Sequence, residues 1–346
     1  MDEEKPIILT AQGSFSAGGK TLKAEGTYDP SHALDPAGQT KHVDHAYVFY
    51  QAPKDERPNA LVFLHGAGQS GAAWETTPDG REGFQTIFLR KGYKVFLMDQ
   101  PGRGRAASVL TSASVEPKPD EALWFDIFRF GHYPERFPGV QIPEGEEAAD
   151  QLWRRVTPDT RTFDAELVSD TLSAAIDRAG PSVIVTHSQG AGAGWRAAMK
   201  NDNVRGIIAL EPGVGFLFPD DDVPDPLIST SPFGALKAEG VDPRDFHKLT
   251  EIPILMIFGD NIPDDMTRWG GEENWRVRRM EAENMAEEIN RQGGDARVIR
   301  LPDVGIYGNT HFLFEDLNNR EIADLMEDWM IERNWTGKKT KFHLPR

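Results

Sequence analysis

The sequence predicts an α/β architecture: a mostly parallel, doubly wound sheet, entered through antiparallel N-terminal strands and carrying two cap-forming insertions. Three observations lead there. Short, almost continuous apolar runs recur along the chain, and each ends in a glycine-rich turn. Helical patterns lie between them. Two stretches, about 105–160 and 213–251, break the alternation. Strands buried on both faces read as unbroken apolar runs, whereas half-exposed strands alternate. Strands alternating with helices build a parallel sheet.

Taken in order, the opening segment sets Gly13, Gly18, Gly19 and Gly26 among short β-type runs, a pattern of meandering strands. His45 to Tyr50 is the next strand, feeding a polar turn at 53–58. Leu61-Val-Phe-Leu64 runs into His65-Gly-Ala-Gly68, and Lys94 to Met98 runs into Asp99-Gln-Pro-Gly-Arg-Gly104. Val183 to Thr186 leads to His187-Ser-Gln-Gly190, and Val204 to Leu210 leads to Glu211-Pro-Gly213. Ile254 to Phe258 ends at Gly259-Asp260, and Arg297 to Leu301 is the last strand. Ala165 to Ala179 repeats Leu167, Val168, Leu172, Ala175 and Ile176 at helical spacing and stops at Gly180-Pro181. Arg276 to Gln292 and Ile322 to Asn334 follow the same rule. Insertions at the functional edge of such a sheet usually become lids or caps.

With 346 residues, 39% of them hydrophobic, the chain can bury one large core, and it reads as a single domain over 1–346. Its longest clean apolar run, Ile252 to Phe258, is far shorter than the roughly 20 residues that span a bilayer. No membrane insertion is expected. A net charge of −17 argues against nucleic acid and anionic membranes as partners. Without cysteine, disulfides, thiolate catalysis and Cys-ligated metals are excluded. Neither a phosphate loop nor a metal-spaced histidine set occurs, so no cofactor and no metal are expected. The run Asp220-Asp-Asp222 with Asp225 could ligate calcium, but a solvated acidic loop is the simpler reading. Met1-Asp-Glu-Glu-Lys-Pro6 is acidic and lacks the apolar stretch of a signal peptide.

The chemistry centres on Val183 to Gly194, where a buried strand, a sharp turn and a small-residue helix surround Ser188. That is the setting of the nucleophile elbow, Gly-x-Ser-x-Gly, whose strained turn lifts the hydroxyl above the sheet. Thr186 stands where the first glycine belongs. A glycine-rich helix start and a dinucleotide-binding turn compete with this reading. The second fails, because Trp195 occupies the position of its third glycine.

A nucleophilic serine needs a base, and the base an orienting acid, in the chain order serine, acid, histidine. His311 follows the last strand by a glycine-bearing loop and is the expected base; His343 belongs to a basic tail. A base of ordinary pKa predicts kcat/KM rising through about pH 6 to 7.5. Two carboxylates compete for the acid, Glu211 and Asp260, each ending a strand. Spacing leaves the choice open, and the position of Asp260 is the commoner one. His187 reads as packing beside the nucleophile, and His65 as a loop stabiliser. For the oxyanion hole, the backbone amides of Gln189 and Ala67 are expected, with Gly66 and Gly68 as neighbouring alternatives. Trp124, Phe125, Phe128, Phe130, Trp153, Phe216 and Phe218 make the insertions aromatic, either as an apolar pocket or as packing of the cap on the sheet.

Longer strings carry a resemblance. Trp74-Glu-Thr-Thr-Pro-Asp-Gly-Arg81, Phe88-Leu-Arg-Lys-Gly-Tyr93, Asp99-Gln-Pro-Gly-Arg-Gly-Arg105 and Glu211-Pro-Gly213 resemble the atypical bacterial α/β-hydrolase esterases typified by the broad-specificity Alcaligenes enzyme. Phe258-Gly-Asp-Asn-Ile262, Gly308-Asn-Thr-His311 and Asp316-Leu-Asn-Asn319 continue the likeness, which runs from about 11 to 333. It implies a serine esterase that cleaves a small-molecule ester through an acyl-enzyme, with Ser188, Glu211 and His311 as the triad and Asp260 kept but not used as its acid. It also implies a cap and secretion through a cleaved signal peptide, hence a secreted or periplasmic location, with a cytoplasmic one left open. A homodimer is compatible with it. Two departures stand out: the family's adjacent cysteines in the oxyanion loop are Ala67-Gly68 here, and the 213–251 insertion is longer. Lactone, amide or urethane cleavage on the same triad is the nearest alternative, and a non-catalytic binding module the remote one.

Overall fold

The apolar runs assemble into one eight-stranded sheet made of β1 (Leu9–Ala17), β2 (Ala46–Pro53), β3 (Ala60–Leu64), β4 (Val95–Asp99), β5 (Ser182–His187), β6 (Val204–Leu210), β7 (Pro253–Phe258) and β8 (Asp295–Arg300). The structure is a computed structural model and describes residues 6–115 and 117–335; His343 lies outside them. Across the sheet the order is β1-β2-β4-β3-β5-β6-β7-β8. β2 runs antiparallel to both β1 and β4. Every pairing from β4 onward is parallel. The C-terminal ends of β3, β5, β6 and β7 therefore open on the same edge, where an open α/β sheet gathers its site.

All five side chains of β3 and of β4 are buried, which accounts for their unbroken apolar sequence. Leu61 and Phe63 pack into the layer formed with α1 (Phe84–Arg90) and α8 (Asn319–Glu332). Val62 and Leu64 pack into the opposite layer, with α4 (Ala165–Ala179), α5 (Gly190–Lys200) and α7 (Gly270–Arg291). α4 has the predicted bounds: the Asp164 carboxylate caps it by accepting from Leu167 N–H at 3.0 Å, and Gly180 at φ +79° ends it. α7 begins at Gly270, six residues before the expected Arg276.

The first insertion supplies α2 (Glu121–Ile127), a short antiparallel pair (Gly131–His132 with Glu135–Arg136) and α3 (Glu146–Arg154). The second supplies a parallel pair (Leu217–Pro219 with Glu239–Val241) and α6 (Pro243–His247). Its Phe216 and Phe218 belong to the core beside α5, while most of 220–245 is exposed and Phe233 reaches the cavity wall described below. Among the described residues no helix is long and apolar enough to cross a membrane.

Candidate active site

β5 ends at His187, and the chain turns so sharply that Ser188 adopts φ +53°, a left-handed conformation rare outside glycine. Hydrogen bonds hold it there. Ser188 N–H donates to the Leu210 carbonyl at 3.1 Å, and its own carbonyl accepts from Gly213 N–H at 3.0 Å and Ala191 N–H at 3.2 Å. A Cβ on Gly66 would lie 2.8 Å from Ser188 Cβ, and one on Gly190 would lie 2.7 Å from the His65 carbonyl. Those positions admit only glycine without a backbone shift. The threonine in place of the first elbow glycine also finds its reason. A Cβ on Gly194 would stand 2.6 Å from Thr186 Cγ2, so α5 makes room on its own side for the methyl group that β5 carries.

Glu211, at the end of β6 with φ +50°, is fully buried. Its Oε2 lies 3.3 Å from His311 Nδ1. Arg129 grips both carboxylate oxygens, Nη1 to Oε2 at 2.9 Å and Nη2 to Oε1 at 2.7 Å, and Gly259 N–H donates to Oε1 at 2.5 Å. Asp260, the competing acid, is engaged elsewhere. Its Oδ2 accepts from Gly308 N–H at 2.8 Å and its Oδ1 from Asn261 N–H at 2.7 Å, which braces the loop leading to His311. The same loop is tied at its far end by Asp316, which accepts from Thr310 N–H at 2.8 Å, Thr310 Oγ1 at 2.7 Å and Asn309 Nδ2 at 2.9 Å.

The His311 ring stacks on Phe128, with centroids 5.5 Å apart and planes 12° from parallel, and lies 4.2 Å from the Trp275 ring. Burial, then the charges of Arg129 and Arg278, hold its pKa well below the usual histidine value. A neutral ring that donates from Nδ1 to Glu211 leaves Nε2 as the acceptor. Ser188 and His311 line the same cavity. Among the described residues no hydrogen bond joins Ser188 Oγ to the ring, a contact that in ligand-free enzymes commonly tightens only with substrate.

On the other side of Ser188 lies the 65–68 loop. His65 donates from Nδ1 to the Gly66 carbonyl at 2.9 Å and accepts Gln100 N–H on Nε2 at 3.2 Å. Burial and the charge of Arg103 lower its pKa to about 4, so this ring is neutral and structural. Gly66 N–H is committed to Gln69 Oε1 at 2.9 Å, which removes it from the oxyanion alternatives. The amides of Ala67, Gly68 and Gln189 have no acceptor among the described residues, and all three residues line the cavity beside Ser188, so Gly68 stays an alternative to Ala67. Arg103 links the loop to Gln189: Nη1 donates to the Gly66 carbonyl at 3.2 Å and Nη2 to Gln189 Oε1 at 3.1 Å. His187 packs behind, with Nδ1 2.8 Å from Gln69 Oε1 and Nε2 3.0 Å from the His311 carbonyl.

The cavity has a volume of about 560 Å³. Of the seven insertion aromatics, Trp124, Phe128 and Trp153 line it. Phe125 and Phe130 pack behind that wall, and Phe216 and Phe218 lie in the core, so the pocket and packing readings each hold for part of the set. Trp275 and Arg278 of α7 complete the wall; Trp275 precedes the helix start that the sequence predicts, and Arg278 lies inside the predicted helix, where spacing does not show that it faces the site. Arg103 and Arg129 were missed too. The signal for Arg129 lies in its place between Phe128 and Phe130, since an arginine that is buried along with such neighbours is almost always paired.

The sequence profile of the alpha/beta hydrolase family matches residues 61–334. A probable secreted lipase, phiG, of a fungal species is 28% identical over 315 residues, which cover 82% of this chain and 85% of that protein. A bacterial esterase of known structure is 31% identical, superposes with a TM-score of 0.75, and is matched over 96% of this chain and 98% of its own. The matched span runs from Leu61 in β3 through β8 and includes every residue of the site just described, and the chain belongs to the alpha/beta hydrolase family.

Proposed function

We propose that the protein is a serine esterase of the atypical bacterial type, in which Ser188 is the nucleophile, His311 the general base and Glu211 the orienting acid. The observation that carries this reading is the shared cavity: Ser188, on its left-handed turn, opens into the same space as a buried, neutral His311 whose Nδ1 faces Glu211. Ester chemistry rather than amide chemistry is favoured by the two relatives, one described as a lipase and one as an esterase. The fungal relative's description as secreted supports a secreted or periplasmic location.

In this mechanism Ser188 Oγ attacks the acyl carbon while its proton passes to His311 Nε2. The carbonyl oxygen, now an anion, accepts hydrogen bonds from the Ala67 and Gln189 amides. One such donor contributes roughly 100- to 1000-fold to kcat. As the tetrahedral species collapses, the alcohol leaves with the proton held on His311, and the acyl group stays on Ser188. Water then attacks the acyl carbon and gives its proton to His311. The carboxylic acid departs as that proton returns to Ser188. Since Ala67-Gly68 carries no sulfur, the oxyanion hole works through backbone amides alone.

The test is Ser188→Ala with a small neutral ester, alongside labelling of the wild-type enzyme by a fluorophosphonate. Loss of kcat should approach a million-fold with the melting temperature retained, and label should be found on Ser188 alone. Substantial turnover by a folded, uncontaminated variant would remove Ser188 from the role.

A further inference from the structure

α7 carries four arginines, and three of them are ion-paired: Arg276 with Glu273 at 2.7 Å, Arg279 with Glu283 at 2.7 Å and Asp264 at 3.0 Å, and Arg291 with Glu288 at 2.6 Å. Arg278 is the exception. It lines the active-site cavity, and its Nη1 donates to the carbonyl and side-chain oxygens of Asn274, both uncharged. Among the described residues it meets no carboxylate, and its Nε and Nη2 have no acceptor. The guanidinium carbon lies 5.6 Å from the centre of the Trp275 ring, which also meets the His311 ring and the Arg129 guanidinium. Arg278 thus sits one indole ring away from the base.

We propose that Arg278 anchors a free carboxylate on the substrate, so that the esters this site takes carry an anionic group a short spacer away from the scissile bond. The proposal rests on the esterase reading and adds the substrate class. Enclosing a guanidinium without a counter-ion is unfavourable, and a bound anion would offset that cost. Its planar fork matches a carboxylate with two parallel hydrogen bonds. Burial lowers the Arg278 pKa to about 10, which still leaves it charged at neutral pH.

The other charged groups of the cavity wall are engaged or lie at the mouth. Glu315 is paired with Arg155 at 3.0 Å, and Asp120 accepts from Trp124 Nε1 at 3.1 Å. Lys118 and Glu121 are exposed at the rim. The chain's net charge of −17 repels anions at long range, so selectivity for one must come from contact inside the cavity.

The experiment compares kcat/KM for matched ester pairs in which a chain ends either in a carboxylate or in a methyl group, with the spacer varied. One series puts the carboxylate on the acyl side, as monoethyl esters of dicarboxylic acids. The other puts it on the alcohol side, as acetates of ω-hydroxy acids. Rates are read on the alkaline plateau, so that His311 titration does not enter. The readout is the ratio of anionic to neutral ester at each spacer length. In the wild type it should exceed one in at least one series and peak at one spacer. In Arg278→Met that ratio should fall by about ten- to a hundredfold, the range of a hydrogen-bonded charge contact, and Arg278→Lys should restore part of it. If Arg278→Met does not fold, the wild-type ratios decide alone. A wild type that hydrolyses the neutral esters and shows no anionic preference at any spacer overturns the proposal and leaves the esterase reading standing. An unchanged ratio in a folded variant overturns it equally. Failure on both members of every pair would instead remove the esterase reading itself.

Discussion

Arg129 and Glu211 form an ion pair in which neither side chain is exposed and each carboxylate oxygen meets its own guanidinium nitrogen. Glu211 Oε2 is shared, since it accepts from Arg129 at 2.9 Å and faces His311 Nδ1 at 3.3 Å. The charge of Glu211 is therefore largely offset by a partner other than His311. In the proposed mechanism the carboxylate's work on His311 is then mainly to fix the tautomer and ring angle, while Arg129 opposes protonation of the ring.

Replacing Arg129 with methionine should cost about 3–5 kcal/mol, because it strands a buried carboxylate without its counter-ion. The folded fraction should also show the acid limb of its rate profile moved to higher pH, since one of the charges that lower the His311 pKa is gone. Thermal melting and a pH–rate series read the two effects separately. An unchanged limb together with an unchanged melting temperature would show that the pair matters to neither.

Glu211→Gln should lower kcat by about ten thousand-fold per folded molecule, the cost of a wrong tautomer at an orienting acid. It should lower the melting temperature as well, because Arg129 loses its partner. The double variant Arg129→Met, Glu211→Gln separates the causes: stability should partly recover and activity should not. Asp260→Asn should cost far less in kcat, since that carboxylate braces backbone amides at Gly308 and Asn261. If Asp260→Asn proves the crippling change and Glu211→Gln stays active, the acid is the commoner one.

For a neutral ester, the rise of kcat/KM with pH should fall below pH 6.5, more acidic than the range of about 6 to 7.5 expected for an unperturbed histidine. The sign follows from the base being active when neutral: a depressed pKa keeps His311 neutral, hence competent, further into acid. A midpoint at or above 6.5 would mean that burial and the charges of Arg129 and Arg278 do not act on the ring as its position indicates.

Gly194→Ala should destabilise by about 1–3 kcal/mol, as overpacking against Thr186 Cγ2 does in a closed core. In a Thr186→Ala background the same change should turn favourable, by up to about 1 kcal/mol, since a helix gains from alanine over glycine once the space exists. Equal effects in both backgrounds would break the link between the two positions.

Much of this was legible because local rules and the tertiary environment agree. The strands from β3 to β7 are buried on both faces, so their runs announce themselves, and α4 has an aspartate cap and a glycine stop. The start of α7 was hidden by Gly270-Gly271 and the acidic pair after them, which read as loop until Trp275 is seen against His311. Arg129 and Arg103 were hidden for another reason. Their meaning lies in partners 82 and 86 residues away, Glu211 and Gln189, and no periodicity reports such a contact. Choosing between Glu211 and Asp260 needed the same kind of knowledge, since both end strands at the same edge.

The hydrogen bonds around Ser188 have a mechanical consequence. The segment that bears Glu211 is bonded to Ser188 on both flanks, through Leu210 O on one side and Gly213 N–H on the other. Ser188 and Glu211 therefore ride on a single hydrogen-bonded frame and are displaced together. A carboxylate on the next strand over would have lacked that tether. The geometry of the three groups then reduces to one free coordinate, the pose of the loop bearing His311, which Asp260 staples at one end and Asp316 at the other. Fluctuations that misalign the reacting atoms must enter through that loop, and changes that loosen it should degrade turnover well before they unfold the sheet.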